Sequence, residues 1–196
     1  MSTLVTNEKK YKVVLIGQSS VGKTSIIIRF SKNAFYADQE STIGAAFVSR
    51  SVETPNGSVL LQIWDTAGQE RYRSLVPKYS QGASVVIIVF DVTDEESFEA
   101  AKDWLSDART NHPGGKVIWY LVGNKCDKTP GFDLEKAKLF AQDEGLEYTE
   151  TSAKTGENIE NMFTDIASML PSLPSIDPGL DLTTANNSNK KKSGCC

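Results

Sequence analysis

The stretch "YKVVLIGQSSVGKT", Tyr11 to Thr24, decides the fold of this chain. A short, mostly apolar run ends at a glycine, and residues 17–24 then fit the pattern G-x-x-x-x-G-K-[ST]. A buried strand followed by such a turn and a helix is typical of a loop that cradles phosphates with backbone N–H groups and a helix N-terminus. Lys23 is placed to reach the terminal phosphates, and the Thr24 hydroxyl to bind Mg²⁺. The stretch therefore predicts a nucleoside-phosphate site at the end of the first strand.

Two further apolar runs, "SVVIIVF" at 84–90 and "KVIWYLV" at 116–122, resemble the first. Each is short and is followed by Asp or Gly, which is typical of strands buried in a parallel sheet. Helical stripes accompany them, and Thr93 with Glu96 can form a capping box before the first stripe. The stripes are Phe98, Ala101, Leu105 and Ala108; Leu134, Ala137 and Phe140; and Ile159, Met162, Phe163, Ile166 and Leu170.

The segment 45–64 has a different pattern, with Asn56-Gly57 between two strand-like stretches. This dipeptide is typical of the tight turn of a β-hairpin, so one antiparallel strand is expected at the edge of the sheet. Strands that alternate with helices predict a doubly wound α/β fold with a mostly parallel sheet. In such folds the ligand lies at the carboxyl ends of the strands.

Length and composition indicate one globular domain. The 196 residues, 39% hydrophobic and 23% charged, are typical of a folded chain. A formal charge of −4 and a pI near 5.1 argue against nucleic acid as a partner. The three cysteines cannot form a disulfide framework, which favours a reducing compartment. Cys126 is expected to be a packing residue, and His112, the single histidine, is expected in a solvated turn.

The two ends of the chain differ from its body. The first ten residues lack an apolar signal core, and no apolar run approaches the ~20 residues of a membrane-spanning helix. From Pro171 the apolar periodicity stops, and a polar stretch follows that ends in "KKKSGCC". We therefore predict a flexible segment at 1–9, a nucleotide-binding domain at 10–170 and a disordered tail at 171–196.

Three further motifs follow strands and complete the predicted site. In "WDTAGQE", Asp65 is placed to hold the metal's water shell, and the N–H of Gly68 can approach a γ-phosphate. In "NKCD", the Asp127 carboxylate can accept from guanine N1 and N2, where adenine offers no such donors. In "ETSAK", at 150–154, Ala153 can donate its N–H to guanine O6. The base selected is therefore guanine.

These four elements, in this order, resemble the Ras superfamily of small GTPases over residues 10–170. The resemblance implies a six-stranded sheet with about five helices, and two switch loops near 33–44 and 66–81. It further implies that Thr42 joins Thr24 and Asp65 in binding Mg²⁺, that Phe35 lies beside the guanine, and that Gln69 positions the attacking water while Lys23 stabilises charge. The nucleotide-binding set that it implies is Ser19, Ser20, Val21, Gly22, Lys23, Thr24, Ser25, Phe35, Thr42, Gly68, Asn124, Lys125, Asp127, Ser152, Ala153 and Lys154.

Within the superfamily, "IGAAF" at 43–47, "WDTAGQERYRSL" at 64–75 and the terminal double cysteine are similar to the Rab branch, the regulators of vesicle traffic. The longer stretch "QESTIGAAF" at 39–47 is most similar to the early-endosomal Rabs. This likeness implies slow GTP hydrolysis without an activating protein, and location on the cytoplasmic face of early endosomes in exchange with the cytosol. It also implies an effector surface of Ile43, Phe47, Trp64 and Tyr79, and prenyl groups on Cys195 and Cys196.

The same likeness implies a set of partners: an exchange factor, a GTPase-activating protein, an escort protein for prenylation, a GDP-dissociation inhibitor and endosomal effectors, with the chain itself a monomer. One departure concerns effector choice, because "YSQGA" at 79–83 stands where many Rabs carry "YYRGA". Another is the pair Ser19 and Ser20, which is usual in Rabs and stands where Ras-like proteins have glycines.

Two alternative functions remain open at this point. A P-loop kinase for small molecules would need a lid with several arginines, and the chain has five, scattered along its length. A module that binds GTP without hydrolysing it would not need Gln69 or Gly68. A GTP-hydrolysing switch accounts for all of the motifs.

Overall fold

The computed structural model describes residues 9–38, 42, 45–55, 57–68, 70–110, 112 and 116–170. Six strands are present in this part of the chain: β1 (Lys9–Ile16), β2 (Ala45–Thr54), β3 (Gly57–Thr66), β4 (Val85–Asp91), β5 (Ile118–Asn124) and β6 (Glu147–Thr151). It also contains five α-helices: α1 (Lys23–Lys32), α2 (Val76–Ser80), α3 (Glu95–Arg109), α4 (Glu135–Asp143) and α5 (Ile159–Met169). A 3-10 helix at Glu70–Leu75 precedes α2, so much of the predicted second switch loop is helical.

The strands form one sheet in the order β2-β3-β1-β4-β5-β6. β2 runs antiparallel to β3, with Phe47 opposite Trp64, and the other neighbours pair in parallel. The predicted doubly wound fold with one antiparallel edge strand is therefore confirmed. β1 lies in the middle of the sheet, and the chain builds outward from it in both directions. A ligand site is expected at the carboxyl end of such a central strand.

Two apolar cores cover the two faces of the sheet, because neighbouring residues of a strand point to opposite faces. Val13 and Leu15 belong to the core beneath α1 and α5, whereas Val14 and Ile16 belong to the core beneath α2, α3 and α4. Both cores contain stacked aromatic pairs, with ring centroids 3.9 Å apart for Phe30–Phe163 and 5.4 Å apart for Phe98–Phe132. Burial on both faces explains the nearly continuous apolar runs in the sequence.

Two predictions about local structure are wrong. The N-cap of α3 is Asp94 and not Thr93, since Asp94 Oδ1 accepts from the Glu96 N–H at 3.1 Å. Thr93 instead donates to Asp91 Oδ1 through its N–H and its hydroxyl, at 3.0 and 2.8 Å. His112 is not fully solvated, because its ring packs edge-on against Trp119 with centroids 5.6 Å apart.

Several predictions lie outside the described residues or at their boundary. β1 begins at Lys9, one residue before the predicted start of the domain. The remaining N-terminal residues, Asn56 of the predicted hairpin turn and the segment 171–196 lie outside the description. In the part of the chain that is described, no helix has both the length and the apolar character to cross a bilayer.

Candidate nucleotide-binding site

A cleft of about 370 Å³ opens at the carboxyl ends of β1, β3, β5 and β6. Its volume is in the range typical of cofactor and nucleotide sites. Of the predicted nucleotide-binding set, the residues that line it are Ser19, Ser20, Gly22, Lys23, Thr24, Ser25, Phe35, Thr42, Gly68, Asn124, Lys125, Asp127, Ala153 and Lys154. Val21 and Ser152 are buried and support residues of the cleft through hydrogen bonds. Loops far apart in sequence thus meet at one edge of the sheet.

The loop at the end of β1 curls because three of its residues, Gly17, Ser20 and Gly22, have positive φ angles. Ser20 has φ 66° and Gly22 has φ 100°, and alternation with right-handed residues turns successive N–H groups into one concave surface. A Cβ on Gly22 would lie 2.3 Å from Asn124 Nδ2, so this position has no room for a side chain. Helix α1 begins at the next residue, which adds the positive end of its dipole. The loop therefore presents an anion-binding surface.

Lys23 places a buried cation at the floor of this surface. The residue is only 5% exposed, and its Nζ donates to the carbonyls of Gly17 and Gln18, both at 2.8 Å. Burial lowers the pKa of Lys23 to about 8, although the nearby Asp65 carboxylate opposes this shift. A cation desolvated in this way gains most from an added negative charge, such as a phosphate.

Gly68 brings the chain after β3 against this lysine. A Cβ at Gly68 would lie 2.3 Å from Lys23 Nζ and 2.5 Å from the Gln18 carbonyl oxygen. Glycine is therefore required for the close approach of the two loops. The consequence is that the start of the predicted second switch segment lies against Lys23 in the cleft.

Three oxygen-bearing side chains meet beside Lys23. Asp65 Oδ2 accepts from the Thr24 hydroxyl at 2.7 Å and from the Thr42 hydroxyl at 3.1 Å, and the two hydroxyls are 2.8 Å apart. Asp65 Oδ1 is buried and has no hydrogen-bond partner among the described residues. Burial raises the pKa of Asp65, while the two threonines and Lys23 counteract part of the rise.

This donor set fits Mg²⁺. The ion prefers hard oxygen ligands and is usually held by one or two protein carboxylates together with substrate phosphates. Among the described residues, no group of three or more His, Cys, Asp or Glu side chains is placed to hold a metal ion. The buried and unsatisfied Oδ1 of Asp65 is the kind of atom that a cation or its water shell would complete.

The opposite end of the cleft carries the residues predicted to read the base. Asn124 Nδ2 donates to the Val21 carbonyl at 2.8 Å, and its Oδ1 accepts from the Ala153 N–H at 3.2 Å. Asp127 Oδ1 accepts from the Ser152 hydroxyl at 2.6 Å, which fixes the orientation of the carboxylate. The asparagine therefore ties the phosphate loop to the loop after β6, and the serine orients the predicted guanine-binding acid.

The aromatic residues predicted for the base and for effectors fall into two places. Phe35 lines the cleft with 38% of its surface exposed. Phe47 is 49% exposed and contacts Trp64 edge-on at 5.3 Å between centroids. Trp64 and Tyr79 are partly buried and pack against the core beneath α2 and α3. The predicted roles of Ile43, Gln69, Cys195 and Cys196 concern residues outside the description.

Sequence reasoning missed several residues of the site. Tyr36, Ala37, Thr66 and Lys128 also line the cleft, and no motif had singled them out. Asp91 lies beside Asn124 in the β4–β5 register and forms an ion pair with Lys125 at 2.5 Å. Its position at the end of an apolar strand, as with Asp65, is the signal that could have revealed it. No motif or periodicity in the sequence indicated a role for Arg29 of α1.

The fold and the cleft define a P-loop nucleotide-binding protein whose base loops are of the guanine type. The chain matches the Ras family over residues 12–172, and it belongs to that family. It is 41% identical over 193 residues to the Ras-related protein Rab-5A of Dictyostelium discoideum, covering 95% of this chain and 96% of the relative.

Two plant proteins are similarly related. Identity is 42% over 189 residues to the Ras-related protein RABF2a of Arabidopsis thaliana, with 94% of each chain covered. The identity to the Ras-related protein Rab5 of Nicotiana tabacum is 42% over 194 residues, covering 97% of this chain and 96% of the relative. The chain is accordingly a Rab-type GTPase, a GTP-binding and GTP-hydrolysing switch that regulates endosomal vesicle traffic.

Proposed function

We propose that this chain binds GTP and GDP with Mg²⁺ in the cleft described above and alternates between the two states on the early endosome. The observation that carries the proposal is the meeting of Thr24, Thr42 and Asp65 within hydrogen-bond distance, beside a buried Lys23. These groups come from three separate segments. Their convergence suits a phosphate-bound cation and has no evident structural purpose.

At the phosphate end, each group has a distinct task. The N–H groups of the loop 17–24 and the Lys23 ammonium bind the phosphate oxygens and stabilise negative charge as it develops. Thr24, Thr42 and Asp65 would hold Mg²⁺, which when bound neutralises charge on the β- and γ-phosphate oxygens. Gln69 is predicted to orient the attacking water, and Gly68 to approach the γ-phosphate.

At the base end, the Asp127 carboxylate accepts from guanine N1 and N2. The Ala153 N–H, predicted to donate to guanine O6, already donates to Asn124 Oδ1 at 3.2 Å, so O6 would share that donor and also accept from the neighbouring Lys154 N–H in the cleft. Phe35 covers the face of the base. The contact between Asn124 and the Val21 carbonyl holds the phosphate end and the base end in register. Selectivity for guanine then follows because adenine offers the Asp127 carboxylate no donors in place of guanine N1–H and N2–H.

Hydrolysis is expected to be slow until an activating protein supplies an arginine. None of the arginine side chains that the structure describes lines the cleft. Each is held by other protein groups: Arg29 by the backbone carbonyls of Ala153 and Lys154, Arg50 by Glu160, Arg73 by Asp107, and Arg109 by Glu144. A cation supplied in trans would complete the charge stabilisation of the transition state.

The switch is proposed to act at a membrane through its C-terminus. Prenyl groups on Cys195 and Cys196 would anchor the chain, since two lipids bind a bilayer stably where one does so only marginally. An exchange factor, an escort protein and a GDP-dissociation inhibitor complete the cycle, and effectors bind the surface around Ile43, Phe47, Trp64 and Tyr79. The exposed ring of Phe47 supports that last assignment.

Nucleotide release at controlled Mg²⁺ tests the proposal. The purified chain is loaded with fluorescent GDP, and release is followed before and after chelation of Mg²⁺. We expect chelation to accelerate release strongly in the wild type and hardly at all in Asp65→Asn, whose release should be fast from the start. Asp143→Asn, an exposed acid at the end of α4, is the matched control and should behave as wild type. Equal Mg²⁺ dependence in Asp65→Asn and wild type would refute the metal assignment.

Location is tested by imaging the full-length chain in the GTP-bound form against endosomal and Golgi markers. Overlap with early-endosomal markers is the expected result. Accumulation on Golgi membranes would contradict the proposed compartment while leaving the nucleotide chemistry intact.

A further inference from the structure

Arg29, in the second half of α1, binds two loops at once. Its Nε donates to the Ala153 carbonyl at 2.8 Å and its Nη2 to the Lys154 carbonyl at 2.6 Å. Its Nη1 donates to the backbone carbonyl of Asn33 at 3.1 Å and to the Asn33 side-chain oxygen at 3.2 Å. A guanidinium has five N–H donors in a rigid plane, so most of this group is committed to these acceptors.

We propose that Arg29 is a positioning residue that holds the guanine-reading loop 152–154 in place and links it to the start of the first switch segment. This inference rests on the proposed contact between that loop and guanine O6. It assigns to a residue outside the nucleotide-binding motifs a part in guanine selectivity and in the lifetime of the bound nucleotide.

The link to the base follows from peptide geometry. In a trans peptide the C=O and the N–H point in opposite directions, and the described chain contains no cis peptide. By fixing the Ala153 carbonyl, Arg29 therefore fixes the direction of the Lys154 N–H on the same peptide unit. Asn124 holds the Ala153 N–H on the other side, at 3.2 Å. The loop is thus held between Arg29 and Asn124, and two of its three residues, Ala153 and Lys154, line the cleft.

The link to the switch segment runs through Asn33. This residue ends α1 in the left-handed region, with φ 49°, and its N–H donates to the Arg29 carbonyl at 2.9 Å. Phe35, two residues later, already lines the cleft. Because a single guanidinium contacts Asn33 and the loop after β6, displacement of either strains the contacts to the other. Opening of the switch segment and release of the base are thereby coupled.

Lysine cannot reproduce this arrangement. Its ammonium keeps the charge but lacks the planar fork that reaches two successive carbonyls and Asn33 together. The variant Arg29→Lys therefore tests the geometry of these hydrogen bonds while the positive charge is kept. Arg109→Lys is the matched control, because the Arg109 guanidinium likewise donates from two nitrogens to another segment, to the carboxylate and backbone carbonyl of Glu144, away from the cleft.

The experiment measures dissociation of two nucleotides from the full-length chain in Mg²⁺. One is GDP, and the other is 6-thioguanosine diphosphate, which keeps the guanine N1–H and the N2 amino group but has sulfur, a weak hydrogen-bond acceptor, where guanine has O6. Thermal unfolding of each variant is recorded in parallel to establish that it is folded. The comparison between nucleotides isolates the effect on O6 from any general loosening of the site.

We expect Arg29→Lys to release GDP about tenfold faster than wild type, which corresponds to the loss of roughly one charge-assisted hydrogen bond. We expect it to release the analogue at nearly the wild-type rate. Preference for GDP over the analogue then falls about tenfold, while Arg109→Lys retains it. Unchanged GDP release in Arg29→Lys, or equal acceleration of both nucleotides, would overturn the inference. If the wild type does not prefer GDP over the analogue, the proposed contact with O6 is wrong, and the inference about Arg29 fails with it. The wild-type data alone would show this result.

Discussion

Asp91 and Lys125 form a mostly buried ion pair at the ends of two neighbouring strands, with 2.5 Å between Oδ2 and Nζ. The lysine also donates to the Ser20 carbonyl at 2.9 Å, so the pair connects β4 to the phosphate loop through the base motif. Burial alone would raise the pKa of Asp91, but hydrogen bonds from Lys125 and Thr93 outweigh it and hold the pKa below its usual range.

We predict that Asp91→Asn destabilises the protein and speeds nucleotide release. The change leaves Lys125 without its counter-ion, which should lower the free energy of unfolding by about 1–3 kcal/mol in urea titrations. Because the pKa of Asp91 is lower in the folded state than in the unfolded state, the ion pair stabilises the fold fully at pH values above the unfolded-state pKa of about 3.9. This stabilisation is lost as the pH falls below that value. The variant should therefore show a weaker loss of stability in acid. Glu95→Gln, which removes an exposed carboxylate paired with Lys136, is the control and should change little.

Base selectivity should follow Asp127. In Asp127→Asn the acceptor for guanine N1 and N2 is replaced by an amide, and xanthine, which has a carbonyl where guanine has the N2 amine, becomes the better match. Competition binding should show preference moving from guanine towards xanthine diphosphate. Asp143→Asn serves as the charge-matched control, and a retained guanine preference in Asp127→Asn would exclude the assignment.

Gly68→Ala should separate nucleotide binding from hydrolysis. The added Cβ would approach Lys23 Nζ and the Gln18 carbonyl, so the chain after β3 must move away from the phosphate loop. We expect single-turnover GTP hydrolysis to fall about tenfold or more, with GDP affinity nearly unchanged, since the lost contact concerns the γ-phosphate. Gly145→Ala is the control, because it strains a backbone of φ 65° outside the cleft while its Cβ meets open space, so it should leave hydrolysis unchanged. Normal hydrolysis in Gly68→Ala would contradict the proposed role of this position.

Cys126 should be a slow nucleophile. Burial, followed by the charge and hydrogen bond of Glu157, raises the pKa of its thiol to about 11. In a Cys195→Ser/Cys196→Ser background it is the one remaining thiol of the chain. The rate of Cys126 alkylation by iodoacetamide at pH 8 should be at least tenfold lower than the rate for a cysteine in a free peptide. This rate should continue to increase with pH above 9. Reaction in urea provides the control, and a plateau near pH 8.5 in the native protein would disprove the shift.

Membrane attachment should depend on the last two residues. Replacement of Cys195 and Cys196 by serine removes the predicted prenylation sites, so the protein should leave the membrane fraction of cells while its nucleotide affinity stays the same. Replacing Ser193 and Gly194 by alanine keeps the double cysteine and should preserve sedimentation with membranes. Persistence of the serine variant on salt-washed membranes would rule out the lipid anchor.

The motif loops could be predicted from the sequence because each is a contiguous stretch placed directly after an apolar run. Arg29 could not, since its role depends on partners distant in the chain: Arg29 and Ala153 are 124 residues apart. A basic residue in a helix carries no local mark of the carbonyls that it will bind. The N-cap of α3 could not be predicted from residue type, because Thr93 and Asp94 are both favoured N-cap residues. Thr93 donates to Asp91 in the folded chain, and Asp94 is therefore the residue that caps the helix.

The order of the strands gives the bound nucleotide a mechanical role. The loops that touch it follow β1, β3, β5 and β6, which lie across most of the width of the sheet. A ligand that contacts all of them acts as a cross-brace between the β1–β3 pair and the β5–β6 pair, which β4 separates, and its binding energy adds to the stability of the fold. Removal of the nucleotide therefore leaves one edge of the sheet unbraced. An exchange factor must then do more than open the cleft: it has to support the empty protein until the next nucleotide arrives.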